Sequence, residues 1–331
     1  MRIGTAAVAL LALAGAGGRA AENPLPGAVG KAAAGRAEPT WVAWSVPQAP
    51  TGRLCCCCHE RSPGREACTL EDDRGFGASQ DGEAGVPARL EVFVKVEGGR
   101  VARVRAFSER CLAEAEGRGV AWLADVRPAD SVAFLASLPA GGERLREAAM
   151  VAIAHHADPA ADSVLEALAA PDEPEETRKK AAFWIGVARG KRGHAALARL
   201  VREDRTDRFR EHVVFALSVS PEPAAIDTLL EVARADASSR VRGQALFWLA
   251  QKAGRKATEG IARALEEDPE TDVKKKAVFA LSQLPRDEGV PLLLRTARTH
   301  RNPVVRREAI FWLGQSEDPR ALGFFEEVLA P

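Results

Sequence analysis

Four consecutive cysteines followed by a histidine are the residues best suited to chemistry in this 331-residue sequence. They are Cys55, Cys56, Cys57, Cys58 and His59. Thiolates and imidazole are ligands for soft metal ions, and thiols also form or exchange disulfides. Zinc ligands normally come in pairs separated by two or more residues, so adjacent cysteines fit zinc poorly and suit Cu(I) better. The segment therefore allows disulfide, metal or redox chemistry.

The remaining cysteines favour the first of these readings. Cys68 and Cys111 bring the total to six, and all six lie in the first half of the chain. An even number of cysteines in a small extracytoplasmic unit usually forms disulfides. The candidates are Cys55, Cys56, Cys57, Cys58, Cys68 and Cys111, and their connectivity stays open. A metal site at the cysteine run with His59 is the alternative, and we expect no cofactor.

The chain opens with the layout of a secretory signal peptide. Arg2 precedes an apolar run from Ala6 to Ala16, and small residues continue to Ala21. This run is about half of the ~20 apolar residues that span a bilayer. We expect residues 1–21 to be a signal peptide. The mature protein would then be exported, either periplasmic or secreted, without a membrane span.

Two units are predicted after a linker. Residues 22–39 are rich in Ala, Gly and Pro without a period, which predicts a disordered linker. Residues 40–139 contain alternating apolar runs on either side of Gly98-Gly99, typical of a hairpin. We predict a small α+β domain there, which contains the cysteines. Residues 140–331 form the second unit.

The second unit repeats itself every 32 residues. Phenylalanines recur at this spacing, with a basic residue five positions before each and a bulky apolar residue 14 positions after. The phenylalanines are Phe183, Phe215, Phe247, Phe279 and Phe311. Such a period predicts about six stacked two-helix units, and we expect the phenylalanine row to lie in their core.

Two further rows follow the same period. Aspartates lie six residues before the basic positions, which predicts a structural network of ion pairs at the turns, with a ligand-binding row as the alternative. Large and small residues alternate one position after each phenylalanine: Trp184, Ala216, Trp248, Ala280 and Trp312. We expect each indole to fill the space that neighbouring alanines leave, with an exposed aromatic binding row as the alternative.

The pattern resembles the short bacterial form of the HEAT repeat. The likeness rests on a basic residue after valine, as in Val241-Arg242, on the apolar helix that follows, and on the closing Asp318-Pro319 turn. The resemblance implies a right-handed α-solenoid that binds other macromolecules. Some such proteins take part in bilin attachment and a few bind DNA, but no residues here point to either.

The second helix of each repeat carries a predicted basic face, because such arrays usually present these helices on their concave side. Its arginines are Arg199, Arg202, Arg234, Arg263, Arg295 and Arg298. The face could bind an acidic segment of a protein partner or an anionic envelope polymer, or it could simply be solvated. Lys+Arg and Asp+Glu are equal at 46 each, so we expect no nucleic-acid partner.

No catalytic motif accompanies these features. His155-His156 interrupts the repeat pattern without an attached nucleophile, and we expect one partly buried and one exposed histidine at a helix end. The sequence therefore predicts an exported, non-catalytic interaction scaffold or adaptor. A metal- or redox-handling protein that uses the Cys55–His59 run is the alternative. An enzyme with an unrecognised site between the two units is the weaker alternative.

Overall fold

Most of both predicted units is described by the structure, which is a computed structural model. The described residues are 23–36, 39–50, 53–56, 68–71, 76–79, 89–109, 111, 113–115, 119–138, 142–252 and 255–330. The predicted signal peptide lies outside them. No helix within these ranges is long and apolar enough to cross a membrane.

The first unit is built on a four-stranded sheet. Only four of the unit's described strands belong to this sheet. The described strands of the unit are β1 (Thr40–Pro47), β2 (Arg53–Cys56), β3 (Cys68–Thr69), β4 (Phe76–Ser79), β5 (Arg89–Glu97), β6 (Arg100–Ser108), β7 (Ala113–Glu114) and β8 (Val120–Trp122). The sheet has the order β6-β5-β1-β8, antiparallel except for the parallel pair β1–β8. Gly98 and Gly99 have φ angles of +55° and +70° and close the predicted β5–β6 hairpin.

Helices make up the remaining elements. Those in the described residues are α1 (Leu25–Ala33), α2 (Pro128–Ser137), α3 (Glu143–His155), α4 (Ala160–Leu168), α5 (Glu175–Ala188), α6 (Gly190–Glu203), α7 (Asp207–Val219), α8 (Ala224–Ala235), α9 (Ser239–Lys252), α10 (Arg255–Glu267), α11 (Thr271–Ser282), α12 (Arg286–Thr299), α13 (Pro303–Gly314) and α14 (Pro319–Leu329). From α3 onward they form six pairs, so the predicted two-helix repeats of a solenoid are confirmed. We call α3, α5, α7, α9, α11 and α13 the first helices, and their partners the second helices.

Helix α1 corrects the predicted disordered linker. It lies within residues 22–39, where Leu25 and Val29 are buried one helical turn apart. These two side chains join the core beneath β1 and α2. Burial of an apolar pair at i and i+4 stabilises a short helix that its Ala- and Gly-rich composition would not maintain alone.

The sheet and the repeats share a hydrophobic core. Side chains on one face of the sheet, among them Val42, Val92 and Val104, belong to the same apolar cluster as the helices of the repeats. Helix α3 packs directly on β6, and α2 contacts both α3 and α4. The first repeat is therefore covered by the sheet unit. The opposite face of the sheet buries a smaller cluster around Trp41 and Phe107.

The phenylalanine row does not lie in this core, contrary to the prediction. Phe183, Phe215, Phe247 and Phe279 are half-buried, and Phe311 is 54% exposed. In the four inner copies the residue immediately before the phenylalanine is buried instead, as Val214 and Leu246 show. Successive residues of a helix point about 100° apart, so the phenylalanines turn away from the core and line the flank of the first helices.

The aromatic rings of this flank contact each other from repeat to repeat. The rings of Phe183 and Phe215 stack with centroids 5.9 Å apart, and those of Phe247 and Phe279 stack at 6.0 Å. Trp248 joins the two pairs, since its ring lies 5.0 Å from Phe215 and 4.9 Å from Phe247. Trp312 contacts Phe279 of the preceding repeat in the same way, with centroids 4.9 Å apart. This gives the alternation a role in ring packing that differs from the predicted filling of space beside alanines.

A buried row of ion pairs links consecutive repeats at their turns. Arg242 donates two hydrogen bonds to the carboxylate of Asp268 in the next repeat, with N–O distances of 2.7 and 3.0 Å. Both side chains are more than nine-tenths buried. Equivalent pairs are Arg178 with Asp204 and Arg210 with Asp236. The predicted structural network is confirmed for these inner repeats.

Each aspartate of the row also holds the local backbone. The Asp268 carboxylate accepts a hydrogen bond of 2.9 Å from the backbone N–H of Glu270, just before α11 begins. Its counterpart Asp236 offers its backbone carbonyl to Arg242 at 2.9 Å. The outer copies differ. Arg146 donates to Thr177 at 3.2 Å, and Arg306 donates to the backbone carbonyl of His300 at 2.8 Å.

The two units meet at a buried chain of hydrogen bonds that includes His156. The indole N–H of Trp44 donates to Ser131 Oγ at 2.7 Å, and Ser131 Oγ lies 2.8 Å from His156 Nε2. His156 Nδ1 lies 2.6 Å from the carbonyl of Ala152, so Nδ1 carries the proton and Nε2 accepts from the serine. His155 is buried as well. The predicted exposed histidine is therefore wrong, because the sheet unit covers this helix end.

Removing one partner of the buried ion pairs should destabilise the repeats strongly. We expect Arg242→Met to lower the free energy of unfolding by about 3 kcal/mol, since the Asp268 carboxylate stays buried without its counter-charge. The control is Arg202→Met in the exposed pair with Glu231, where the loss should be about 1 kcal/mol or less. Urea denaturation measures both changes, and equal losses would contradict a dominant role for the buried row.

The two buried histidines predict a pH dependence of stability. Burial, together with repulsion from the Arg189 guanidinium, lowers the pKa of His155 and of His156 from 6.5 to about 4. Below pH 6.5 the two histidines are protonated in the unfolded chain, whereas in the folded chain they stay neutral down to about pH 4. Their contribution is therefore complete above pH 6.5 and is lost toward pH 4, by up to about 3 kcal/mol for each histidine.

Urea denaturation between pH 7 and pH 5 measures this loss above the range in which most carboxylates titrate. In His156→Gln, the fall in unfolding free energy over that interval should be about half as steep as in the unaltered protein. An unchanged slope in this variant would show that other groups cause the pH dependence.

Candidate interaction surface on the second helices

The second helices place all the predicted arginines at the surface. Arg199 and Arg202 lie on α6, Arg234 on α8, Arg263 on α10, and Arg295 and Arg298 on α12. Each of these helices buries one apolar stripe, such as Leu229 on α8 and Ile261 on α10. The charged residues occupy the opposite side, where all six arginines are exposed.

Three of the six arginines form ion pairs between neighbouring repeats. Arg199 contacts Glu166 at 2.6 Å, Arg202 contacts Glu231 at 2.7 Å, and Arg298 contacts Glu327 at 2.6 Å. The hydrogen bond from Arg202 lowers the pKa of Glu231 below its ordinary value. These arginines have carboxylate partners within the chain and are poorly placed to bind a ligand.

Arg234, Arg263 and Arg295 form the other half of the set. Within the described residues, none of these three guanidinium groups has an ion-pair partner. They lie on three consecutive second helices. A guanidinium group offers a planar fork of donors that matches a carboxylate. We call these three residues the arginine row.

A groove between α8 and α10 adjoins the arginine row. It has a volume of about 590 Å³, and both Arg234 and Arg263 line it, beside the apolar side chains of Leu230 and Ala264. Gly260 also lines it, and a Cβ at this position would lie 2.0 Å from Leu230 Cδ2. The matching positions in the neighbouring repeats are filled by Thr228 and Leu292. The missing side chain at residue 260 therefore lets Leu230 pack closely against α10 at the floor of the groove.

The groove is lined by charges of both signs. Glu259 and Glu267 line it together with Arg263, one turn to either side of that residue on α10. An ion pair between Lys256 and Asp227 lies at the end of the groove where both helices begin. A ligand must therefore match both charges and an apolar floor.

The cysteines lie mostly in the parts of the first unit that the structure does not describe. Cys57, Cys58 and His59 are outside the described residues, and Cys55, Cys56 and Cys68 are described only in their backbone, on β2 and β3. Cys111 is buried and disulfide-bonded. Within the described part of the chain, no cluster of His, Cys, Asp and Glu could hold a metal ion. Metal or redox chemistry at the cysteine run stays a prediction.

The sequence did not predict one serine–histidine contact that resembles a nucleophile with its base. Ser131 and His156 lie between the two units, where the weaker enzyme hypothesis placed a site. Both are fully buried, and the histidine is oriented by a backbone carbonyl instead of a carboxylate. This arrangement gives a substrate no access to the serine. The His155-His156 interruption of the repeat was its only trace in the sequence.

The second unit matches a known protein family. A family model described as HEAT repeats matches residues 161–250 and 258–330. No curated protein matches the chain. The complex of CpcE and CpcF of phycocyanin lyase from Nostoc sp. PCC7120 is 22% identical, with 48% of this chain and 100% of that chain covered and a TM-score of 0.35.

Two further solved structures are similar to part of the chain. Human deoxyhypusine hydroxylase in complex with glycerol is 17% identical over 60% of this chain and 77% of that chain, with a TM-score of 0.27. An engineered protein is 20% identical over 60% and 84%, with a TM-score of 0.22. The lyase and the hydroxylase are enzymes. The prediction that this chain is not an enzyme is therefore wrong, because it took the absence of a motif in such repeats as evidence against catalysis.

Proposed function

We propose that this HEAT-repeat protein binds a protein partner through the exposed side of its second helices. An acidic segment of the partner would contact the arginine row. The proposal rests on a difference between two sets of arginines on this surface. Arg199, Arg202 and Arg298 have carboxylate partners in neighbouring repeats, whereas the three residues of the arginine row have none among the described residues.

The arrangement of the row suits an elongated ligand. Its three guanidinium groups lie on α8, α10 and α12, one in each of three consecutive repeats. A segment that crosses these helices would meet the arginines in turn. Each contact is weak while it is exposed to water, and it strengthens where the partner excludes water from the pair. Several such contacts together give orientation and specificity.

The adjoining groove supplies the apolar part of such an interaction. Leu230 and Ala264 can take an apolar side chain of the partner beside Gly260. Binding energy in protein interfaces is concentrated where an apolar anchor enters a pocket surrounded by polar contacts. The partner segment is thus acidic and also carries at least one bulky apolar residue, which an anionic polymer lacks.

The proposed place of action is outside the cytoplasm, in the periplasm or the surroundings of the cell. Two features support it. Residues 1–21 have the layout of a signal peptide, and Cys111 forms a disulfide bond. Disulfides persist in oxidising compartments and are rare in the cytosol. The sheet unit with its cysteines then serves as a stabilised cover for the first repeat.

Charge reversal of the arginine row should abolish binding without affecting the fold. We expect Arg234→Glu/Arg263→Glu/Arg295→Glu to weaken binding of a fluorescent helical peptide of glutamate and leucine at least about 10-fold, because three attractive contacts become repulsive. Fluorescence anisotropy at two salt concentrations measures the affinity. The matched control, Arg199→Glu/Arg202→Glu/Arg298→Glu, makes the same change in net charge at the paired positions and should retain most of the binding.

Similar losses in both triple variants would show that net charge alone attracts the peptide. Equal affinity of the unaltered protein for polyglutamate and for the glutamate–leucine peptide would contradict the proposal that the groove binds an apolar side chain. Thermal melts of both variants within a few degrees of the unaltered protein would confirm that the fold is intact.

A further inference from the structure

Exposed large apolar side chains are concentrated at one end of the solenoid. Of those in the described residues, all except Trp122 lie on α13 and α14. They are Ile310, Phe311, Leu322, Val328 and Leu329, with exposed fractions of 37%, 54%, 62%, 59% and 77%. Together with the half-buried Phe325 they form a surface that we call the end face. Such an apolar patch indicates an interaction site.

The end face has the composition of a contact between repeats. The residues that match Ile310 in the preceding repeats are completely buried: Ala182, Val214, Leu246 and Val278. Leu322 and Leu329 match Val290 and Ala297 of α12, which are 4% and 7% exposed. Helix α12 packs closely on α13, the first helix of the following repeat. The end face therefore continues the interface that joins the inner repeats, and it fits an apolar helix.

Helix α14 itself presents such a helix surface. Leu322, Phe325 and Leu329 are spaced at i, i+3 and i+7, which places them on one side of the helix. Exposed charges of both signs border the end face: Glu326 follows Phe325 on α14, and Arg307 lies one turn before Ile310 and Phe311 on α13. A surface with an apolar centre and both charges at its rim can be complementary to itself.

The opposite end of the solenoid cannot serve as the partner surface. Helix α3 of the first repeat packs on β6, and α2 contacts α3 and α4. A second copy of the chain therefore offers no free first-repeat face, and head-to-tail stacking into filaments is blocked. The matching apolar surface that a second copy does present is its own end face.

We propose that two copies of this chain associate through their end faces about a twofold axis. The α14 stripes pack against each other in antiparallel orientation, and Ile310 and Phe311 of each copy cover the neighbouring helix. The pairing closes at two copies because each end face is used up. It leaves the arginine row of both copies free, so it is independent of the partner proposed above.

The test is the mass of the full chain in solution, by light scattering after gel filtration and by sedimentation equilibrium. The unaltered protein should have twice the mass of one chain at 10 to 100 µM, a range in which interfaces of this kind are occupied. Leu322→Asp/Leu329→Asp places carboxylates at the centre of the contact and should weaken dimerisation at least about 100-fold. Both residues are exposed in the single chain, so these changes leave its fold intact.

Trp122→Asp is the matched control, because it removes the other exposed large apolar side chain and should leave the dimer unchanged. A single-chain mass for the unaltered protein at 100 µM would overturn the proposal. A dimer that persists in Leu322→Asp/Leu329→Asp would overturn it as well, and so would a mass that rises beyond two chains with concentration.

Discussion

A guanidinium group buried between two repeats needs a carboxylate as its counter-ion, and the stacking of the repeats depends on this ion pair. Each inner arginine reaches the aspartate of the next repeat, and that aspartate also holds a backbone N–H at the start of a helix. The distance between repeats, the turn and the helix start are thereby tied to one side chain. An isolated buried charge would cost several kcal/mol, so the repeats can slide past each other only by breaking the pair.

This fixed stacking sets the positions of the exposed residues on the second helices. Because every repeat stands in the same relation to the next, exposed residues 29 or 32 positions apart come to lie on neighbouring helices, as Arg234, Arg263 and Arg295 do. Whether an arginine is free then depends on which acid the adjacent repeat presents. Glu231 neutralises Arg202, whereas Arg263 has no such neighbour among the described residues. The proposed binding surface thus results from small departures from the repeat within a rigid stack of helices.

The sequence predicted the features that follow from its 32-residue period. It did not predict which face of a helix a residue occupies or which distant residues contact each other. The 32-residue spacing predicted the helix pairs and the ion-pair row. The same spacing could not tell on which side of the helix Phe247 lies, since a row remains periodic on any face. The contact of Ser131 with His156 joins two units that share no pattern. Which of the six predicted arginines are free also required the positions of Glu166, Glu231 and Glu327.

The alternation of tryptophan and alanine has a consequence for how such a chain can change in length. Stacked phenylalanine pairs and bridging tryptophans succeed each other, so the ring contacts repeat only after 64 residues, or two helix pairs. Loss of a single helix pair would bring two alanine-bearing or two tryptophan-bearing first helices together and leave either a gap or a clash. Loss or duplication of two pairs would preserve every ring contact. The natural unit of growth in this array is therefore the double repeat.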